Sequence, residues 1–282
     1  MKKVLSTALI LGALYGTANA APATSPIFLP EAGKALSTLN IGYTTSKFDK
    51  KPAGAKDKLE ESWNVEVEGK FGIMDKIALN YGFDFDFARK ILDKDQSAKF
   101  TNYYFGITGR IVDANANKLD VILNVGQEEA PIYTNDQVYV ELAVRYGLDL
   151  DMYNLGFFVG GKYINDWQNG KGADKEKLDR GYTFTVKLEN EFIFTEDFTV
   201  GLDLFFNAND KIKYTVAGTE TKWNSYNEYG FNLDGNFALA ENNYIGAYFD
   251  MAFSDLKGPK TSAEKYKNPV EYKFGLRYTS QF

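Results

Sequence analysis

The charge-bearing chemistry open to this sequence is carboxylate, amine and guanidinium chemistry alone. It holds 38 Asp and Glu against 32 Lys and Arg, with no histidine and no cysteine. Two carboxylate pairs stand out by spacing, Asp84 with Asp86 and Glu189 with Glu191. Residues two apart on a strand share a face at about 7 Å, close enough for an acid–base couple. The rest of such a site is missing. Without histidine no serine hydroxyl or water has its commonest proton acceptor near neutral pH. Without cysteine there is no thiolate nucleophile, thiolate zinc site or disulfide. No ordered ligand spacing such as a calcium loop is present either, and no cofactor is implied. A carboxylate-only hydrolase is the sharp reading of the two pairs. Solvated charge on the polar side of a strand is the plain one, and it is favoured.

The elements that carry these charges repeat every second residue. In LEESWNVEVEGKFGI, Trp63, Val65, Val67, Gly69 and Phe71 share one face, and Asn64, Glu66, Glu68 and Lys70 share the other. In KIALNYGFDFDFA, Ile77, Leu79, Tyr81, Phe83, Phe85 and Phe87 stand opposite Asn80, Asp84 and Asp86. A helix would scatter both sets, whereas a strand separates them. The period predicts twelve strands, near 36–48, 59–73, 76–88, 99–112, 118–127, 137–149, 153–165, 181–194, 198–208, 224–239, 243–254 and 270–282, and no helix between them. The 282-residue chain is therefore all-β, with 19 Tyr and 22 Phe in an otherwise polar composition. Its mean hydropathy of −0.35 excludes a helical membrane bundle. A formal charge of −6 and a pI near 5.0 argue against nucleic acid as a partner.

Residues 1–20 read as a cleavable export signal. Lys2 and Lys3 precede the apolar run VLSTALILGALYG, and Ala18-Asn19-Ala20 offers a small-x-small cleavage site after Ala20. Residues 21–35, with Pro22, Pro26 and Pro30, should form an extended segment outside the regular fold. The strands occupy 36–282 and their connections alternate. MDK, DANAN, LDM, TED and AENN are tight, while the intervening joints are long and hydrophilic. Short turns on one side and long loops on the other are expected of a transmembrane barrel of consecutive hairpins. An even strand number puts both chain ends on the short-turn side.

In a soluble sandwich the apolar face would be core; in a membrane barrel it faces lipid and the charged face lines the lumen. Aromatics near strand ends (Trp63, Phe71, Phe87, Tyr103, Tyr163, Tyr182, Phe192, Tyr272) suit interfacial girdles and favour lipid. The inward acidic candidates are then Glu66, Glu68, Asp84, Asp86, Asp120, Glu141, Asp149, Glu189, Glu191, Asp203, Glu228, Asp234, Asp250 and Glu271. The basic ones are Lys70, Arg110, Arg145, Lys162, Lys187, Lys273 and Arg277. Cross-strand pairing of Glu271 and Lys273 with Glu66 and Lys70 would compensate some of this charge. The acidic excess requires water in the interior. Glu66, Glu68, Asp84 and Asp86 should form one four-carboxylate patch. Phe158, Ile164, Phe205 and Ile122 break the polar pattern of the inward face.

The last strand, YKFGLRYTSQF, places Phe274, Leu276, Tyr278 and the terminal Phe282 on one face. It resembles the C-terminal assembly signal of Gram-negative outer-membrane β-barrels, although Ser280 stands where an apolar residue is usual. The resemblance implies a single antiparallel barrel of about twelve strands in the outer membrane. It also implies periplasmic chaperones and the barrel-assembly machinery as partners in biogenesis, with lipid and lipopolysaccharide around the finished barrel. Hydrolases, acyltransferases and proteases of that architecture use a histidine, so their mechanisms do not transfer and no enzyme activity is expected. Two readings remain: a porin-like channel for small solutes and ions that favours cations, or a non-conducting structural or adhesive barrel whose long loops do the work.

The assembly reading is testable. Replacing Tyr278 and Phe282 by Asp should leave export intact but sharply lower the heat-modifiable barrel in outer-membrane fractions. Wild-type barrel levels would show that the final strand is no assembly signal.

Overall fold

The computed structural model describes residues 24–50, 58–91, 94–114, 116–129, 136–150, 152–165, 167–169, 176–222, 224–256 and 267–282. The proposed signal sequence and its cleavage site lie outside the described residues. Twelve long strands follow the two-residue period: β1 (Ala35–Lys50), β2 (Lys58–Met74), β3 (Ile77–Ile91), β4 (Lys99–Ala114), β5 (Asn117–Glu129) and β6 (Asp136–Leu150), then β7 (Tyr153–Ile164), β8 (Gly181–Thr195), β9 (Phe198–Asn209), β10 (Tyr226–Ala240), β11 (Asn243–Ser254) and β12 (Lys267–Gln281). Each pairs antiparallel with its sequence neighbours. β12 returns to pair with β1 from Leu36↔Gln281 to Lys50↔Lys267. The sheet is thus a closed barrel with no free edge, the only sheet geometry that satisfies every backbone group in lipid.

Two-residue turns at residues 75–76, 196–197 and 241–242 link β2 to β3, β8 to β9 and β10 to β11, all at one end. The start of β1 and the end of β12 meet there, where Ala35 and Phe282 exchange backbone hydrogen bonds of 2.7 and 2.9 Å. Ser280 turns to a neighbour on the next strand. Its hydroxyl donates to Asn243 Oδ1 at 2.9 Å, and the Tyr278 hydroxyl donates to the same oxygen at 2.8 Å.

At the other end the long connections carry structure that their composition did not announce. Strands Trp167–Asn169, Glu176–Asp179, Lys213–Val216 and Thr219–Lys222 form a second, four-stranded antiparallel sheet from the β7–β8 and β9–β10 connections. Leu178 and Ile212 pack with Tyr226 and Leu256 as a small apolar cluster beneath it.

The outer wall of the barrel is apolar. Leu79, Phe105, Leu123, Val140, Leu142, Leu204, Leu233 and Leu276 are all exposed. A continuous apolar surface of this kind is a lipid-facing one, since water-soluble monomers do not expose such a band. Aromatic rings cluster along it: Tyr163 stands 5.0 Å from Tyr182, Tyr43 5.5 Å from Trp63, and Tyr153 5.0 Å from Phe192. Polar side chains fill the inside. Asn40, Asn80, Thr108, Asp120, Asn154, Glu191 and Thr279 are buried.

Arginine in place of Leu79 or Val140, both lipid-facing, should therefore cost about 2–4 kcal/mol. In place of Asp203, which borders the lumen cavity, it should cost much less. Reversible denaturant titration in lipid vesicles measures both, and equal penalties would mean the faces are assigned the wrong way round.

Candidate functional site

Two cavities lie in the lumen among the described residues, one toward each end of the barrel. The cavity at the short-turn end has a volume of about 510 Å³, and that at the long-loop end about 640 Å³. Asn232, Asp250 and Lys273 border both and mark the waist between them. Every strand contributes inward-facing side chains here because inward and outward positions alternate, so the site is a wall built residue by residue from the whole sheet.

Of the expected lining residues, Glu66, Glu68, Lys70, Glu141, Arg145, Lys187, Glu189, Glu191, Asp203, Asp234 and Arg277 border the short-turn cavity. Asp84, Asp86, Glu228 and Glu271 border the long-loop cavity. The four-carboxylate patch expected from Glu66, Glu68, Asp84 and Asp86 is accordingly split between the two. Glu66 and Asp84 are register partners, but Glu66 is neutralised by Lys273 Nζ at 2.7 Å and accepts from Asn40 at 3.2 Å. Arg110, Asp120 and Lys162 line neither cavity and instead form interior ion pairs. Arg110 holds Asp120 through nitrogens at 2.8 and 3.1 Å, and Lys162 meets Glu128 at 2.6 Å while lying 4.6 Å from the Tyr139 ring. Asp149 lies beside the β6–β7 turn and borders neither cavity.

Paired charge holds the walls together. Arg145 grips Glu189 with two hydrogen bonds of 2.7 and 3.0 Å, and Arg277 bridges Asp234 at 3.1 Å and Asn40 at 3.0 Å. Planar bidentate guanidinium–carboxylate contacts are among the stronger charged hydrogen bonds, and they fix geometry as well as charge. The Arg145 guanidinium and the Lys187 ammonium lie 5.7 and 5.5 Å from the Phe158 ring. Phe158 packs with Ile122 and Ala143, so two of the residues that break the polar pattern form an apolar patch on the wall under two cations. An amide chain runs from Thr108 to Asn80, from Asn80 to Asn124 and from Asn124 to Glu141, at 2.9, 3.2 and 2.8 Å.

Two features of the lumen were missed from sequence. The first is Arg89, which alternation after Asp84 and Asp86 would place outward. Ala88 adopts a φ of +50°, and the β2–β3 register shifts between Glu61 and Trp63. That bulge re-aims the next side chain inward. Arg89 is 5% exposed and binds Glu60 at 2.8 Å and Glu129 at 2.5 Å. An arginine following a clean run of alternation, with no glycine to flag a bulge, gives no local signal.

The second is the segment before β1. Residues 24–34 form no strand and pack inside the barrel. Ile27 is 4% exposed and Pro30 is fully buried. Lys70 donates to the Phe28 carbonyl at 2.8 Å and Arg110 to the Ile27 carbonyl at 2.5 Å. The Thr24 hydroxyl donates to Glu191. Gly33 and Gly72 tie the exit of the segment to β2. Glycine makes room for it twice: a Cβ at Gly72 would lie 2.0 Å from the Glu31 carbonyl oxygen, and one at Gly147 would lie 2.4 Å from Ile27 Cγ2. Lys70 and Arg110 therefore act as anchors for a plug, a role that their place in a lumen charge count did not reveal.

No protein-family model matches the chain, and no curated protein resembles it in sequence at a significant level. Solved structures do resemble it. An outer membrane channel from Pseudomonas putida F1 is 13% identical, with a TM-score of 0.63, covering 94% of this chain and 100% of that one. The TodX monoaromatic hydrocarbon channel, as a deletion mutant, is 10% identical with a TM-score of 0.50 and 93% coverage of each chain. At these identities the shared property is the fold: this chain is a closed twelve-stranded antiparallel barrel of the outer-membrane type.

Proposed function

We propose that the protein is a passive outer-membrane channel for small hydrophilic solutes and ions that favours cations. The observation carrying this reading is the charge of the lumen. Fifteen carboxylates but only six Lys and Arg border the two cavities. Low-dielectric walls concentrate the field of that excess and enrich cations inside. The fold it shares with outer-membrane channels supports the same reading, with solutes passing down their gradients and no bond chemistry in the wall. The cleavable signal, delivery by periplasmic chaperones and insertion by the barrel-assembly machinery belong to this reading.

A second reading is a non-conducting barrel that displays its loop sheet at the cell surface. The plug favours it, because residues 24–34 fill the short-turn, periplasmic end. The two readings part on what happens when the plug is released.

In planar bilayers, deleting residues 24–31 should raise single-channel conductance several-fold over the intact mature chain. Replacing Gly147 by Val, which collides with Ile27, should act in the same direction. Absence of current in all three proteins would favour the structural barrel.

Selectivity follows from the carboxylates outside strong ion pairs. Reversal potentials should show cation preference at 0.01 M salt, where the Debye length is about 30 Å, that fades by 0.1 M, where it is about 10 Å. Converting Glu68, Asp84, Asp86 and Asp203 together to amides should shrink it. Anion preference would show that an Arg or Lys at the waist controls passage.

A further inference from the structure

The long-loop cavity is more acidic than the lumen as a whole, with eight bordering carboxylates against Arg89 and Lys273. Both cations are already committed. Arg89 is held by Glu60 and Glu129, and Lys273 by Glu66. Asp84, Glu228, Asp250 and Glu271 have no Lys or Arg at ion-pair distance among the described residues. Asp84 and Glu228 accept only from side-chain amides, Asn102 at 3.4 Å and Asn207 at 2.9 Å.

A second, independent feature points into the same space. Ser46 is 3% exposed, borders the cavity, and its hydroxyl has no hydrogen-bond partner. In the sheet it lies between Glu60 on β2 and Glu271 on β12. A buried hydroxyl without a partner costs about 1–3 kcal/mol, and a hydrogen-bonding group on a ligand would remove that cost.

The form of the ligand follows from where the charges stand. The four uncompensated carboxylates come from β3, β10, β11 and β12, and no three acidic side chains among the described residues converge closely enough to hold a metal ion. A divalent metal needs its oxygens at about 2.0–2.6 Å. A ligand with separated positive charges meets the spacing instead. Phe205 and Met251 border the same cavity and offer apolar surface beside the acidic lining, which suits methylene spacers.

From this arrangement we propose that the long-loop cavity binds a linear organic polyamine, its ammonium groups on Asp84, Glu228, Asp250 and Glu271 and one of them within reach of the Ser46 hydroxyl. The proposal rests on the cation-channel reading and names the cation class which that route would accept.

The test is calorimetric binding of spermidine to the refolded mature protein in detergent, beside bilayer conductance measured without polyamine. Binding should be saturable, and Glu228→Gln with Glu271→Gln should weaken it about fivefold. Glu68→Gln with Asp203→Asn removes the same charge from the other cavity and should leave affinity unchanged. Equal weakening by both pairs, or displacement of spermidine by magnesium at equal charge concentration, would overturn the proposal. Saturable binding by a protein that passes no current would uphold the site and remove the channel reading. Current without binding would do the reverse.

Discussion

The structure depends on one constraint: in hydrocarbon, every backbone N–H and C=O must find a partner within the protein. A sheet meets that demand only by closing on itself. Here closure is the β1–β12 ladder, with the backbone bonds between Ala35 and Phe282 sealing its last rung. The start of β1 and the end of β12 are thereby fixed at one rim. Anything that precedes β1 must start at the mouth of the lumen.

Closure also inverts the usual arrangement of a protein. The apolar face looks outward at Leu79, Val140 and Leu276, and the polar face is enclosed. An enclosed wall of carboxylates would repel itself, so basic groups are set into it at places fixed by cross-strand register. Lys273 meets Glu66 across 207 residues of sequence, and Arg145 meets Glu189 from a strand two positions away. These pairs brace the lumen. The carboxylates they leave over give it its sign, and at the long-loop end both lining cations, Arg89 and Lys273, are already held in pairs.

The plug follows from the same geometry. A short proline-bearing segment at the rim has few hydrogen bonds of its own to make, while the lumen wall presents donors at Lys70 and Arg110. Its carbonyls accept from both cations, and Gly72 and Gly147 let the backbone and Ile27 come close. One end of the barrel is thus occupied by the protein itself. The other is roofed by a small sheet grown from two long connections.

Sequence alone determined the twelve strands, their short turns and the sorting of residues between lipid and lumen. All of these are local: a two-residue alternation is imposed by the pleat of each strand and needs no knowledge of its neighbours. What depended on distant parts of the chain was decided only in three dimensions. The bulge at Ala88 brought Arg89 inside against the alternation, because backbone conformation at one alanine outweighs the pattern around it. The division of the lumen separated Asp84 and Asp86 from Glu68, although adjacent strands carry them. The loop sheet formed where Leu178, Ile212, Tyr226 and Leu256 found one another across three connections. The segment before β1 read as an extended leader because proline and missing periodicity show only that a stretch is irregular. Where an irregular stretch lies is settled by the room and the hydrogen-bond donors that the folded barrel offers it.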